Sequence, residues 1–104
     1  MGRSEKRELV NCLDVLLLHL LKWRYQPGFR GTSLRLTLRE QRLRLGEHLA
    51  DNPSLKSKVE DAMRNAYRLA RLEAARETGL AEETFPEVCP VTFDQAASQD
   101  FWPD

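Results

Sequence analysis

The stretch VLLLHLLKWRYQP, Val15 to Pro27, decides the fold of this chain. From Val15 to Leu21 every residue but His19 is apolar, and Pro27 followed by Gly28 ends the run. At about 100° per residue, Leu9, Leu13, Leu16, Leu17, Leu20 and Leu21 share one wide face of a helix. Val15 and Leu18 fall on the opposite side, among Asn11 and Lys22. A helix that is apolar nearly all round belongs in the middle of a structure, because each apolar face needs a cover. Two further helices and a tail are all the cover this chain offers. Val15 and Leu18 are therefore expected to form an apolar interface, with a second subunit or another segment lying over them.

A length of 104 residues makes residues 1–104 a single domain with one core. The 16 Lys and Arg balance the 16 Asp and Glu, so net charge identifies no partner. Their distribution says more. Residues 1–50 carry ten basic against five acidic side chains, and residues 51–104 carry six against eleven. The two halves should attract each other. Cys12 and Cys89 are too few for a disulfide framework and form no Cys-x-x-Cys pair. Arg3, Lys6 and Arg7 precede the apolar stretch as in a signal peptide, but Asn11, Asp14 and His19 break it and no small-residue cleavage site follows. The run is also far shorter than the roughly 20 residues of a membrane span. Lys6 stands where myristoylation requires Ser or Thr. The expected location is cytoplasmic, away from any membrane.

Proline and glycine punctuate the rest. A first helix is expected over 4–26, a loop at PGFRGT, and a second helix over 33–51 capped by Ser33. Asn52-Pro53 separates it from a third helix over 54–78, for which Gly79 is the C-cap. The tail, 79–104, carries Pro86, Pro90 and Pro103 and has room for one short helix from Thr92, where Thr92-x-x-Gln95 forms a capping box. No stretch alternates as a strand would. The prediction is an all-α, three-helix up-down-up bundle with a proline-punctuated extension. Phe85, Phe93, Phe101 and Trp102 are expected to pin that extension onto the helices, the alternative being a flexible docking peptide.

Helix two holds the most unusual pattern. Arg35, Arg39 and Arg42 recur at i, i+4 and i+7, with Leu34, Leu38, Leu45 and Leu49 on one flank and Leu36 and Leu43 on the other. Glu73 and Glu77, unexpectedly for carboxylates, fall on the apolar arc of helix three. Antiparallel packing of helices two and three would bring Arg35 to Glu73, so paired guanidiniums and carboxylates are the favoured reading. Nucleic acid is the alternative, with Lys22, Arg24, Arg30 and Arg44 widening the patch and Trp23 or Tyr25 stacking on bases. An electrically neutral chain without a helix-turn-helix favours it less.

No chemistry announces itself. Cys12 and His19 share a face but lie two turns apart, about 10 Å along the axis, and His48 and Cys89 complete no compact ligand spacing. His19 is expected to pack at the edge of the apolar arc. Asp14 is expected to meet a guanidinium from another helix. With no phosphate loop, serine elbow or paired-carboxylate motif, no catalytic residue, cofactor or metal is expected.

LLLHLLKWRYQP, SLRLTLREQR, NPSL, ARETGL…TFPEVCPVTFDQ and the closing DFWP, taken together and in order, closely resemble the bacterial domain of unknown function 29 family. The resemblance spans nearly the whole chain. It implies an all-α domain and brings no established activity, substrate or catalytic residue. It also implies a further N-terminal part with an acidic helix, ending about where Met1 stands here, and a tryptophan in place of Leu34. Without such a helix the arginines lack carboxylates and the Val15–Leu18 side lacks a cover, so the chain is expected to self-associate. The expected function is a non-enzymatic protein–protein interaction or self-associating domain. The alternative is a nucleic-acid-associated protein using the arginine stripe.

Overall fold

The apolar helix stops where Pro27 has no N–H to donate: in the computed structural model, α1 runs Gly2–Tyr25 and a 3-10 turn follows at Pro27–Phe29. Residues 2–104 are described, side chains from residue 4 onward, so Met1 and the Arg3 side chain lie outside them. Helix α2 spans Thr32–Asp51, α3 spans Val59–Thr78 and the short α4 spans Phe93–Ala97. Among the described residues there is no strand, and the architecture is the expected all-α bundle.

Local chemistry sets most boundaries, with two departures from expectation. Gly31, in extended conformation, takes the N-cap of α2 and no side chain caps it, so Ser33 lies inside the helix. Pro53–Lys58 is a 3-10 segment, and α3 proper starts six residues later than the proline. The reason is visible at Asn52. Its side-chain amide turns back to donate to the His48 carbonyl at 3.0 Å, leaving the next helix without a side-chain cap. The far end of α3 follows the sequence: Gly79 adopts φ +77°, which a Cβ would strain, and its N–H bonds the Ala75 carbonyl.

Helix α1 is the centre. It packs against α2 on one side and α3 on another. Ion pairs Lys6–Asp61 and Lys22–Glu77 join α1 to α3, and the partners of each are 55 residues apart. An identical offset at both ends means that the two helices run parallel in one register. These pairs also join the basic half of the chain to the acidic half.

The tail closes the remaining side. Pro90, Val91 and Pro103 share a small crevice with Leu17, Leu20 and Leu21 of α1. Phe85 is buried, edge-on to Tyr25 with ring centroids 4.9 Å apart, and Trp102 lies on Trp23 at 4.6 Å. The Tyr67 hydroxyl donates to the Pro86 carbonyl, and Arg71 Nε donates to that of Phe85. Helix α4 starts with the expected capping box, Gln95 N–H to Thr92 Oγ1 at 3.1 Å and Thr92 N–H to Gln95 Oε1 at 3.0 Å. Leu18 is only 7% exposed, and Val15 is half-buried in the groove between α1 and α2. The expected apolar interface at these two residues is thus corrected: the chain covers its own central helix.

Candidate interaction surface

Helix α2 presents two contrasting sides. Leu38 and Leu45 are buried against α1, and Arg42 is buried beside them at 3% exposure. Its fork reaches the tail: Nε donates to the Ala96 carbonyl at 2.8 Å, and Nη2 donates to Phe101 at 2.8 Å and Gln95 at 3.4 Å. Nη1 is buried without an acceptor among the described residues. Burial without a facing carboxylate lowers the Arg42 pKa from its ordinary value.

Indole rings receive Arg35 and share Arg42. The Arg35 guanidinium lies 5.4 Å from the Trp23 ring centroid and 5.6 Å from that of Trp102, while Arg42 lies 5.4 Å from Trp102. Arg30 stacks on Trp23 at 5.1 Å and donates from Nε to the Trp23 carbonyl. Arg39 points outward, its backbone carbonyl accepting from Gln99. None of the ion pairs among the described residues joins Arg35, Arg39 or Arg42 to Glu73 or Glu77. The pairing expected for this stripe is therefore replaced by cation–π stacking and carbonyl bonds, each arginine–ring contact contributing roughly 0.5–2 kcal/mol. Geometry explains the change. Both α2 and α3 pack on α1, which keeps them apart, and the tail takes the place beside α2.

The two carboxylates have other partners. Glu77 accepts from Lys22 at 2.9 Å. Glu73 faces Asp14 across the α1–α3 interface, so Asp14 meets a second carboxyl rather than the expected guanidinium. Burial, reinforced by the hydrogen bond and charge of Glu73, pushes the Asp14 pKa up to about 7. Its Oδ1 is buried without a donor, as befits an oxygen set against another carboxyl. Sequence spacing alone gave no signal for this pair.

Cysteines and histidines are held by backbone groups. Cys12 Sγ lies 3.6 Å from the Gln41 carbonyl, and burial, with a smaller contribution from Glu8, pushes its thiol up to about 11. His19 Nδ1 donates to the Val15 carbonyl at 2.7 Å, and His48 Nε2 donates to that of Glu5 at 2.8 Å. Cys12 and His48 do line one groove between α1 and α2, in company with Glu8, Glu47 and Asp51. Even so, no three His, Cys, Asp or Glu side chains among the described residues converge as a metal site needs.

The other side of α2 faces outward. Leu36 is 53% exposed and Leu43 is 60% exposed, two turns apart on a shallow depression they share with Arg39, Glu40, Arg44 and Glu47. Leu69 and Leu72 are similarly bare on α3. These leucines, which helical periodicity places but cannot assign to inside or outside, are the apolar surface that the long helices leave for a partner, in addition to the bare Phe29 and Val88 in the connecting loop and the tail. Among the described residues no helix is long and apolar enough to cross a membrane.

No curated protein and no solved structure matches this chain. The model of one family does, over residues 1–102, which include all four helices and the tail that closes over α1. The chain belongs to that family, the domain of unknown function DUF29.

Proposed function

We propose that this domain is a non-enzymatic protein-interaction module of the cytoplasm that docks through the outer face of α2. The observation that carries this reading is the exposed pair Leu36 and Leu43 on a helix whose opposite face is fully used inside. Burying what remains exposed of the two side chains against a partner contributes roughly 1 kcal/mol each. Two free thiols suit a reducing compartment. The nucleic-acid alternative needs Arg35, Arg39 and Arg42 as one free stripe. It gains little support from a guanidinium locked on tail carbonyls and another stacked on two indoles.

A photocrosslinking residue at position 43 of the full chain, in the native host, tests the proposal. The expected result is a discrete protein adduct that forms in the presence of nuclease and at high salt, with none from the exposed position 11 on α1. Adducts that disappear with nuclease, together with affinity falling linearly in log salt, would transfer the function to the arginines.

A further inference from the structure

The outer face of α2 is asymmetric in charge. Helical periodicity sets Arg39 on one side of the Leu36–Leu43 line, and Glu40 and Glu47 on the other. Arg44 bonds Glu40 through Nε and Nη2 at 3.2 and 2.8 Å, both to Oε2, which leaves Oε1 to accept a further guanidinium. One flank thus carries the positive charge of Arg39, the other carries Glu40 and Glu47 against the single cation Arg44 and is net acidic, and the seam between them is leucine. Such a surface complements itself when one flank meets the opposite flank of an identical copy.

We propose that this face binds a second copy of the chain, with the two α2 helices parallel about a two-fold axis. Leu36 and Leu43 meet their counterparts along the axis, and Arg39 of each copy faces Glu40 of the other. This inference rests on the interaction reading above and supplies its partner. Orientation follows from charge. In a parallel pair the two flanks meet crosswise, whereas an antiparallel pair would set Arg39 against Arg39 and Glu40 against Glu40. The bare leucines of α3 do not compete on these grounds. Arg76 falls between Leu69 and Leu72 on the helix, so self-pairing there would set like charges at the seam, while Glu73 and Glu77 on the adjoining flank are engaged by Asp14 and Lys22.

Sedimentation equilibrium on the full chain, with two charge reversals, tests the proposal. Wild type should dimerise reversibly, with a dissociation constant of about 10–100 µM for so small an interface. R39E and E40R should each weaken the dimer by at least about 30-fold, since either reversal sets like charges opposite at both symmetric contacts. An equimolar mixture of the two variants should recover a heterodimer, because every cross pair is then Glu against Arg. L43E should be monomeric with unchanged far-UV circular dichroism. A wild type that stays monomeric to about 1 mM, or two reversals that dimerise as wild type does, would overturn the proposal. A monomeric wild type that still yields the nuclease-resistant adduct at position 43 removes the second copy and keeps the face as a docking site for another protein. Absence of both dimer and adduct removes both readings.

Discussion

Arg42 and Leu43 are neighbours in sequence and opposites in environment, the guanidinium 3% exposed and the leucine 60%. The usual partition is reversed because the two sides of α2 meet different things. On the inner side the tail offers main-chain carbonyls and a tryptophan ring, and these suit a planar cation with five N–H groups better than they suit an aliphatic chain. Outside, Leu36 and charged side chains line the same shallow depression, and none of the described residues covers the leucine. Burial on this helix follows from what each neighbour can bond, and polarity alone misleads.

The comparison breaks most severely at Arg42. Arg42→Met keeps the volume of the side chain but leaves the carbonyls of Ala96 and Phe101 without their donor, and should cost about 3 kcal/mol in chemical denaturation. Amide exchange should quicken selectively over residues 93–103. Arg42→Lys should recover little, since a point charge cannot reach three carbonyls at once. Trp102→Ala removes the ring beneath both Arg35 and Arg42 and should cost roughly 2–3 kcal/mol. The remaining indole, Trp23, should then emit at longer wavelength.

A milder break lies at the α1–α3 interface. Asp14 holds its proton to about pH 7 in the folded state and to about 3.9 in the unfolded chain. Between those values the folded state binds more protons, so stability should fall as pH rises from about 4 to 7. Asp14→Asn should flatten that slope and stabilise the fold at neutral pH by roughly 1 kcal/mol, read from urea midpoints across the window. The smallest effect sharpens the comparison instead. Leu43→Glu, on the exposed side, should shift monomer stability by no more than about 0.5 kcal/mol, although its neighbour is among the most sensitive positions.

Much of this fold is legible in the sequence because its signals are local. Proline and glycine mark the ends of α1 and α3, Thr92-x-x-Gln95 marks α4, and the aromatic tail announces that it must lie against something. The partners are a different matter. Arg42 finds acceptors more than fifty residues away, and Glu73 meets Asp14 against the ordinary rule of opposite charges. Helical spacing shows which side chains share a stripe and leaves open which stripe turns inward: Leu38 with Leu45 and Leu36 with Leu43 are equally periodic, and only the first pair is buried. The burial of Leu18 has a related reason. A wheel shows it opposite the main apolar face, but it lies one turn from both Asp14 and Lys22, which face Glu73 and Glu77 of the parallel α3.

Covering α1 has a cost in time. Every piece that covers the core helix is translated after it, and the tail comes later than α2 and α3. Trp23 waits for Trp102, and at about 5–20 residues per second the ribosome needs roughly 4–16 s to supply it. During that interval the side of α1 formed by Leu17, Leu20 and Leu21 lacks the cover that Pro90, Val91 and Pro103 will give it, and the nascent chain exposes apolar surface there. A fragment ending at Thr84 should accordingly bind an apolar dye more strongly than the complete domain does. Until the tail is made, the side of the greasy central helix that meets Pro90, Val91 and Pro103 stays in water.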